Sequence, residues 1–364
     1  MFSWPAADAN PPPVFSAVAA ARFRYDPQPM SPSRSSSESA ESSGAGGAGS
    51  HWFGVLTVVI TLVGWSSIPL FLKHFSHLID AWTSNGWRYG FSALIWAPLL
   101  VVVAQRRRLP AGLWRAAIVP SIVNSMGQVC FTWAHYKIDP GLLTFGLRSQ
   151  ILFAALGAFL LFPSERPVIR APGYLLGMLV VLIGTSGAVL FGDDRIEFTH
   201  IAGVGLAIAS GLLFAMYGLA VRRYMHRFNS VIAFAAISQY TAFAMVVLML
   251  VLGEQGGLTV LEMPGKQIMW LLISAVIGIA LGHVFYYLSI ARLGVAVSAG
   301  VLQLQPFGVA VGSYFLFAEV LTVGQWVSGC VAVAGAIVML GIQRLVMKKR
   351  TDQGLALAEG KSGV

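Results

Sequence analysis

From residue 51 onward, apolar stretches of about 20 residues follow one another almost without interruption. An α-helix of that length crosses the roughly 30 Å of hydrocarbon in a bilayer. Lipid offers the backbone no hydrogen-bond partner, and the stretches are too long and too uniformly apolar for barrel strands. The sequence therefore predicts an all-α polytopic membrane protein with ten transmembrane helices, at residues 53–72, 80–104, 116–136, 141–162, 172–191, 200–221, 230–253, 267–290, 295–318 and 324–345.

Composition excludes a water-soluble globular protein. Hydrophobic residues make up 56% of the 364-residue chain and charged residues 11%, whereas soluble domains average about 45–50% and 25%. The net charge is +9, but the basic residues lie between apolar runs rather than among aromatics in a groove, which argues against nucleic acid as a partner. The expected partners are the lipid bilayer and a small-molecule substrate, and a homodimer is left open.

The chain carries no motif for a cofactor or a metal. It has no GxxxxGK[ST] loop, and its His, Cys and Asp residues are not spaced as a ligand set. Cys130 and Cys330 lie in apolar stretches about 200 residues apart, so they cannot form a small disulfide scaffold. We therefore expect no cofactor.

The two ends of the chain differ from the apolar region. Residues 1–50 are rich in Ser, Pro and Gly and are expected to form a disordered tail. They contain no apolar core after a basic start, so a cleaved signal peptide is not expected, and Met30 is an alternative start. Residues 347–364 are expected to form a second, cytoplasmic tail.

The basic residues predict how the chain is oriented. With the N-terminus inside, the inside segments hold 18 of the 24 Lys and Arg residues and the outside connections hold 4. The positive-inside rule then places both termini in the cytoplasm. The expected location is the prokaryotic inner membrane, because the tail shows no targeting pattern and continuous helices are not outer-membrane barrel strands.

The apolar region contains an internal repeat. An offset of 154 residues aligns Phe131 with Phe285, Pro140 with Gly294 and Glu165 with Glu319. The first repeat covers 51–192 and the second 200–346. Since each repeat holds five predicted spans, an odd number, the second enters from the opposite side, which is the inverted-repeat architecture of many secondary transporters. The alternative is that two similar halves reflect helix stacking alone.

Several segments resemble the drug/metabolite transporter superfamily, specifically its EamA-like family. Leu304–Leu321, LQPFGVAVGSYFLFAEVL, is similar to the family pattern of a Pro followed thirteen positions later by a Glu. Gly64–Lys73, GWSSIPLFLK, is similar to the family's first helix, and Arg88 lies where the family often has an Arg. The resemblance covers about residues 53–346 and implies ten helices in two five-helix repeats. Leu152 departs from the pattern, because it lies where the first repeat would carry the equivalent Pro.

The third predicted span carries a polar stripe. Ser121, Ser125, Gln128, Thr132 and His135 follow helical spacing and lie within about 40° of one line. Polar side chains in lipid are costly unless they face protein or water, so the stripe is predicted to line a central cavity. The alternative is interhelical hydrogen bonding, which is routine for Ser and Thr.

Two arginines fall within predicted spans, Arg88 in the second and Arg148 in the fourth. Neither span holds an acid that could neutralise them, and the guanidinium fork suits a carboxylate or a phosphate. Arg148, with Arg88, is therefore predicted to hold an anionic group of the substrate. The alternative is that Arg88 extends toward the outer interface and Arg148 bonds to helix-end carbonyls.

The remaining candidates extend this site. Trp65, Tyr286 and Gln303 complete the candidate substrate-binding set, with the aromatic residues as a pocket or as packing. His135 and His283 are the proton-coupling candidates because histidine titrates near neutrality, while Glu165 and Glu319 are assigned to helix ends. Pro306 is the predicted hinge, because it could kink the ninth span.

These features together predict a secondary active transporter of small organic metabolites. The intramembrane arginines favour amino-acid-like or other carboxylate compounds, and the resemblance implies alternating access and more often export. The alternatives are a channel-like or structural membrane protein and an intramembrane enzyme. The sequence contains no HExxH, GxSxG or paired-acid set at a cavity that would serve an enzyme.

Overall fold

The computed structural model describes residues 44–191, 198–293, 298 and 301–361. Thirteen α-helices make up most of this part of the chain: α1 Gly44–Phe75, α2 Ala81–Gln105, α3 Leu113–His135, α4 Pro140–Leu147, α5 Gln150–Leu161, α6 Arg166–Ile169, α7 Pro172–Leu190, α8 Phe198–Ala220, α9 Ser230–Leu252, α10 Gly265–Ala275, α11 Gly282–Leu293, α12 Gln305–Phe317 and α13 Val323–Lys361. Two π-helical segments continue α8 and join α10 to α11, at Val221–Met225 and Val276–Leu281.

Seven helical segments of the described chain are long and apolar enough to cross a membrane. They are Trp52–Phe75, Ala81–Gln105, Pro140–Leu161, His200–Met225, Val231–Leu252, Gly265–Tyr286 and Val323–Val346. A shorter apolar helix covers Pro172–Ala188. The prediction of an all-helical, multi-pass membrane protein is confirmed, and each of these segments overlaps a predicted span.

The helices extend beyond the predicted spans at both ends. Residues 44–50, expected to be part of a disordered tail, form the start of α1, and α13 continues through the predicted C-terminal tail to Lys361. Once a helix is nucleated, each added residue gains a hydrogen bond at little further cost, which favours such extensions. Residues 1–43 and the aligned Gly294 lie outside the described residues.

Local sequence signals fix where several helices begin. The Asp80 carboxylate accepts hydrogen bonds from the backbone N–H groups of Trp82 and Thr83, at 2.9 and 3.0 Å, and so caps α2. It also accepts the backbone N–H of Glu254 at 3.1 Å, which ties this cap to the segment after α9. Asn229 caps α9 in the same way. Such caps satisfy backbone donors that a helix leaves unpaired.

The main helix contacts join one half of the chain to the other. α2 packs on α9, α7 on α13, α3 on α8 and α1 on α11. α8 also packs on α5 in the first half, and α1 packs on α12 in the second. The offset of 154 residues makes the α3–α8 contact equivalent to α11–α1, and the α5–α8 contact equivalent to α12–α1. It relates the two helices of the α2–α9 pair, and those of the α7–α13 pair, to each other.

Glycines allow the closest of these approaches, between α7 and α13. A Cβ at Gly335 would lie 2.7 Å from the Val181 nitrogen and 2.8 Å from the Gly177 oxygen. Because these neighbours are backbone atoms, no side-chain rotation could make room. The two backbones are in contact only because small residues line the interface, as is common between membrane helices.

Candidate functional site

The fourth predicted span is broken near its middle. α4 ends at Leu147 and α5 begins at Gln150, with a turn at Arg148 and Ser149 between them. In the ninth span, a turn at Gln303 and Leu304 precedes α12. The offset of 154 places the two turns within one or two residues of each other. Interrupted helices at corresponding positions of two halves are typical of substrate sites in secondary transporters. Here each turn keeps short-range backbone hydrogen bonds, from Arg148 to Phe145 and from Leu304 to Val301, both at 3.0 Å.

The structure places Pro306, the predicted hinge, at the start of a helix. This residue lies in the first turn of α12 rather than within a continuous ninth helix. Proline is well tolerated there, because its missing N–H has no intrahelical acceptor and its fixed φ suits a helix start. Pro306 therefore helps to begin α12 directly after the turn, and its role as a hinge stays a prediction.

Arg148 contacts the second half of the chain directly from its turn. Its Nη2 donates to Gln305 Oε1 at 2.8 Å, and its Nη1 donates to the Leu302 carbonyl at 3.2 Å. Its Nε is buried with no hydrogen-bond partner in the described chain. No carboxylate of the described residues lies within 4 Å of the guanidinium. The contact with the Leu302 carbonyl fits the alternative that Arg148 bonds to helix-end carbonyls. However, no described carboxylate neutralises its positive charge.

Gln305 connects Arg148 to the first helix. Besides accepting from Arg148, its side chain donates from Nε2 to the Trp65 carbonyl at 2.9 Å. Within α1, that carbonyl would ordinarily accept the N–H of the residue four positions later, which is Pro69 and has none. The Gln305 amide supplies the missing donor and is only 8% exposed.

Trp65 organises the aromatic part of the site. Its indole Nε1 donates to the Gly278 carbonyl at 3.2 Å, and its ring lies 5.3 Å from the rings of both His283 and Tyr286. A Cβ at Gly282 would collide with Nε1, so this glycine allows the indole to approach. The structure therefore brings the predicted aromatic residues Trp65 and Tyr286 together and places His283 beside Trp65.

Arg88 is enclosed by protein. It is 3% exposed, and its Nε donates to Ser274 Oγ at 2.9 Å. The alternative that it extends toward the outer interface is wrong, because the side chain is buried. A Cβ at Gly278 would lie 3.7 Å from an Arg88 guanidinium nitrogen. Arg88 thus borders the same Gly278 that accepts the Trp65 indole.

The polar stripe of α3 faces other helices. Thr132 donates to Asn85 Oδ1 at 2.8 Å, and Ser121 donates to the Ile237 carbonyl at 3.3 Å. Both contacts fit the alternative of interhelical hydrogen bonding. Ser125 is buried with an unpartnered hydroxyl among the described residues, and Gln128 is half-buried.

The histidine and glutamate candidates differ in their surroundings. The Nδ1 atoms of His135 and His283 bond to carbonyls one turn earlier, at 2.7 and 3.3 Å. Glu165 forms an ion pair with Arg222 at 2.7 Å. Glu319 lies beyond the end of α12, where it accepts from Ser313 Oγ and from the Gly141 backbone N–H at the start of α4.

The Glu319 carboxyl lies outside the predicted span and is half-buried. Burial raises its pKa above the ordinary value, because removing a carboxylate from water disfavours the charged form. The hydrogen bonds from Ser313 and Gly141 oppose that change, and burial outweighs them. Its position fits the helix-end role expected from sequence, since it joins the end of α12 to the start of α4.

Two cavities lie at these glutamates. One of about 310 Å³ is lined by Glu319, Tyr314 and Trp326 among others. The other, of about 210 Å³, includes Glu165 and Arg222. Neither cavity includes Arg148. The described residues contain no cluster of three or more His, Cys, Asp or Glu that could hold a metal ion.

Sequence reasoning missed Gln305 and selected Gln303 instead. Gln303 lies in the turn and is half-buried, whereas Gln305 makes the contacts to Arg148 and Trp65. The available signal was Pro69, because a proline inside a helix leaves the carbonyl four residues earlier without its donor. Pro69 therefore indicates that the Trp65 carbonyl needs a hydrogen-bond donor from elsewhere, but it does not indicate which residue supplies that donor.

Comparison with known proteins gives a repeated match. The sequence pattern of the EamA-like transporter family matches residues 52–190 and again 201–341. No curated protein matches the sequence. One solved structure, described only as the crystal structure of a protein, has a TM-score of 0.54 and 14% sequence identity, over 82% of this chain and 99% of its own. At that identity, the similarity concerns the fold alone.

Proposed function

Because the chain belongs to the EamA-like transporter family, within the drug/metabolite transporter superfamily, we propose that it is a secondary active transporter of small organic metabolites that carry a carboxylate. Amino-acid-like compounds are the favoured class. The observation that carries the substrate class is the half-buried Arg148 guanidinium, which lies at the turn between α4 and α5 and has only neutral acceptors among the described residues.

Physical chemistry favours an anion at Arg148. A guanidinium removed from water loses hydration that two neutral acceptors only partly replace. A carboxylate would supply the opposite charge and a geometry that matches the guanidinium fork. Its unpartnered Nε provides a further donor without breaking a described hydrogen bond.

The neighbouring residues extend the proposed site away from the charge. Trp65, Tyr286 and His283 form an aromatic wall that suits an apolar or aromatic substrate body. Arg88 borders Gly278, whose carbonyl accepts the Trp65 indole N–H, and is the second candidate for an anionic group. Ser125, Gln128, Thr132 and Gln303 stay as secondary candidates, and His135 and His283 as candidates for proton coupling.

We further propose ten transmembrane helices in two inverted five-helix repeats, which rock against each other to give alternating access. The exchange of equivalent helix pairs between the two halves supports a two-fold relation. So does the contact between Arg148 and Leu302, which are separated by the repeat offset of 154 residues. The distribution of Lys and Arg supports cytoplasmic termini and an inner-membrane location, and export is the proposed direction.

A ligand screen on the purified protein tests the substrate class. A bound ligand raises thermal stability by mass action, so amino acids, other carboxylates, phosphorylated sugars, cations and neutral compounds can be compared directly. We expect carboxylates to stabilise the wild type and to lose that effect in Arg148→Gln. Arg222→Gln, which removes an exposed arginine paired with Glu165, is the matched control and should keep it. Equal stabilisation of both variants would refute the assignment.

Transport in sealed vesicles tests the carrier mechanism. A carboxylate found by the screen should show saturable uptake that is accelerated by the same compound on the opposite side. That acceleration is specific to a carrier which exposes one site alternately. Uptake that rises linearly with concentration and shows no such acceleration would favour the channel-like alternative.

A further inference from the structure

The side chain of Gln305 occupies the part of Arg148 that the proposed substrate would need. Its Oε1 accepts from Nη2 at 2.8 Å, and an amide oxygen is the neutral analogue of one carboxylate oxygen. Nη1 is engaged by the Leu302 carbonyl at the same time. A carboxylate that approaches end-on, with one oxygen at Nη1 and the other at Nη2, therefore competes with the Gln305 amide for the guanidinium.

The other end of the same amide is also engaged. Nε2 donates to the Trp65 carbonyl at 2.9 Å, and Pro69 provides no helical donor for that carbonyl. Because the oxygen and nitrogen of an amide are fixed in one plane, rotating the oxygen away from Arg148 also moves the nitrogen. The contacts with Arg148 and with α1 are thus made or lost together.

We propose that Gln305 determines substrate specificity, because its amide oxygen competes with the substrate carboxylate for Arg148 and its displacement releases the Trp65 carbonyl in α1. This inference rests on the proposed function, since it requires a carboxylate at Arg148. A carboxylate can displace the Gln305 amide from Arg148, because it bonds a guanidinium more strongly than an amide does. A neutral compound cannot. Binding is thereby transmitted to the first helix of the chain.

The test uses benzoate as the carboxylate and benzamide as the neutral compound of the same size. Both carry an aromatic ring that suits the wall formed by Trp65 and Tyr286. Dissociation constants are measured by calorimetry on the full chain in nanodiscs, for wild type, Gln305→Ala, Gln305→Glu and Arg148→Gln. Gln239→Ala is the matched control, because it removes one glutamine–carbonyl hydrogen bond, to Ala93, elsewhere in the helix packing.

Removing the competitor should strengthen benzoate binding. A hydrogen bond to a charged group corresponds to about a tenfold change or more in affinity, so Gln305→Ala should bind benzoate about tenfold more tightly. Benzamide binding should change by less than about threefold on the same scale. Gln305→Glu places a carboxylate on Arg148 permanently and should abolish benzoate binding while the protein remains folded. Gln239→Ala should bind benzoate as the wild type does.

Hydrogen exchange of α1 provides a second readout. Benzoate should increase amide exchange around Trp65 in the wild type, because the Gln305 bridge is lost, and should cause no further increase in Gln305→Ala. If Gln305 only supported the fold, benzoate would not change the exchange around Trp65 in the wild type alone.

The outcomes separate this inference from the proposed function. If Arg148→Gln abolishes benzoate binding but Gln305→Ala binds it as the wild type does, the competition is refuted and the anion site stands. If Arg148→Gln still binds benzoate, the anion site itself is refuted, and the competition with it. If no variant binds benzoate, both fail, because Gln305→Ala exposes the guanidinium that should bind it.

Discussion

The contact between α7 and α13 gives the most direct test of the fold, through the substitution Gly335→Ala. The added methyl group would lie 2.7 Å from the Val181 nitrogen and 2.8 Å from the Gly177 oxygen. Ordinary contact begins near 3.4 Å, so the two helices must separate by about 0.7 Å at this point. Neither neighbour can rotate away, because both are backbone atoms.

The expected loss follows from comparison with a second glycine of the same helix. Gly341 has nothing within 4 Å of its would-be Cβ. Alanine is favoured over glycine in a helix by about 1 kcal/mol at either position, and this contribution cancels between the two variants. The remaining difference is the cost of overpacking, about 1–3 kcal/mol, with the upper end expected for a backbone collision.

The free energy of unfolding can be measured in mixed micelles as the denaturing detergent is increased. Gly335→Ala should unfold at a lower fraction of denaturing detergent than the wild type, and Gly341→Ala at an equal or higher one. Equal stability of the two variants would refute the close backbone contact between α7 and α13. A loss in Gly341→Ala as large as that in Gly335→Ala would do the same.

Substitutions at three further residues test separate contacts. Asp80→Ala should lose about 1–2 kcal/mol of stability by removing the cap of α2, whereas Asp80→Asn should keep most of it, as measured by the same unfolding assay. Glu319→Gln should flatten the pH dependence of stability. Since the pKa of Glu319 is raised in the folded protein, wild-type stability should fall as the pH rises above the ordinary carboxyl range, and a parallel fall in the variant would contradict this. Gly282→Ala should push the Trp65 indole away from the Gly278 carbonyl and shift the indole N–H resonance, which an unchanged spectrum would disprove.

The apolar pattern allowed the helices to be predicted because lipid imposes their length and backbone pairing. The interruption in the fourth span was harder to see, because a single turn does not disturb a long apolar run. The polar triplet Arg148, Ser149 and Gln150 marks its place, whereas the family resemblance draws attention only to Leu152. The turn at Gln303 is hidden in the same way, so the sequence does not predict that α12 begins next to Pro306.

The long-range partners of the site could not be predicted from sequence. Gln305 and Trp65 are separated by 240 residues, and no local rule links a carbonyl freed by Pro69 to an amide in the other half. The same holds for Thr132. Its spacing on α3 predicts a polar helix face, but it does not predict that Thr132 donates a hydrogen bond to Asn85. Periodicity predicts which side of a helix is polar, whereas packing decides what that side meets.

The contact between Arg148 and Leu302 also bears on how two similar halves came to differ. A position that touches its own counterpart cannot carry a charge in both copies, because the two like charges would then lie side by side. If the chain arose by duplication of a five-helix ancestor, this position was obliged to diverge as soon as one copy acquired arginine. If the two halves are related as proposed above, a single guanidinium is the arrangement that this relation favours. Leu302→Arg, which would bury a second positive charge at a position only 6% exposed, should therefore be poorly tolerated.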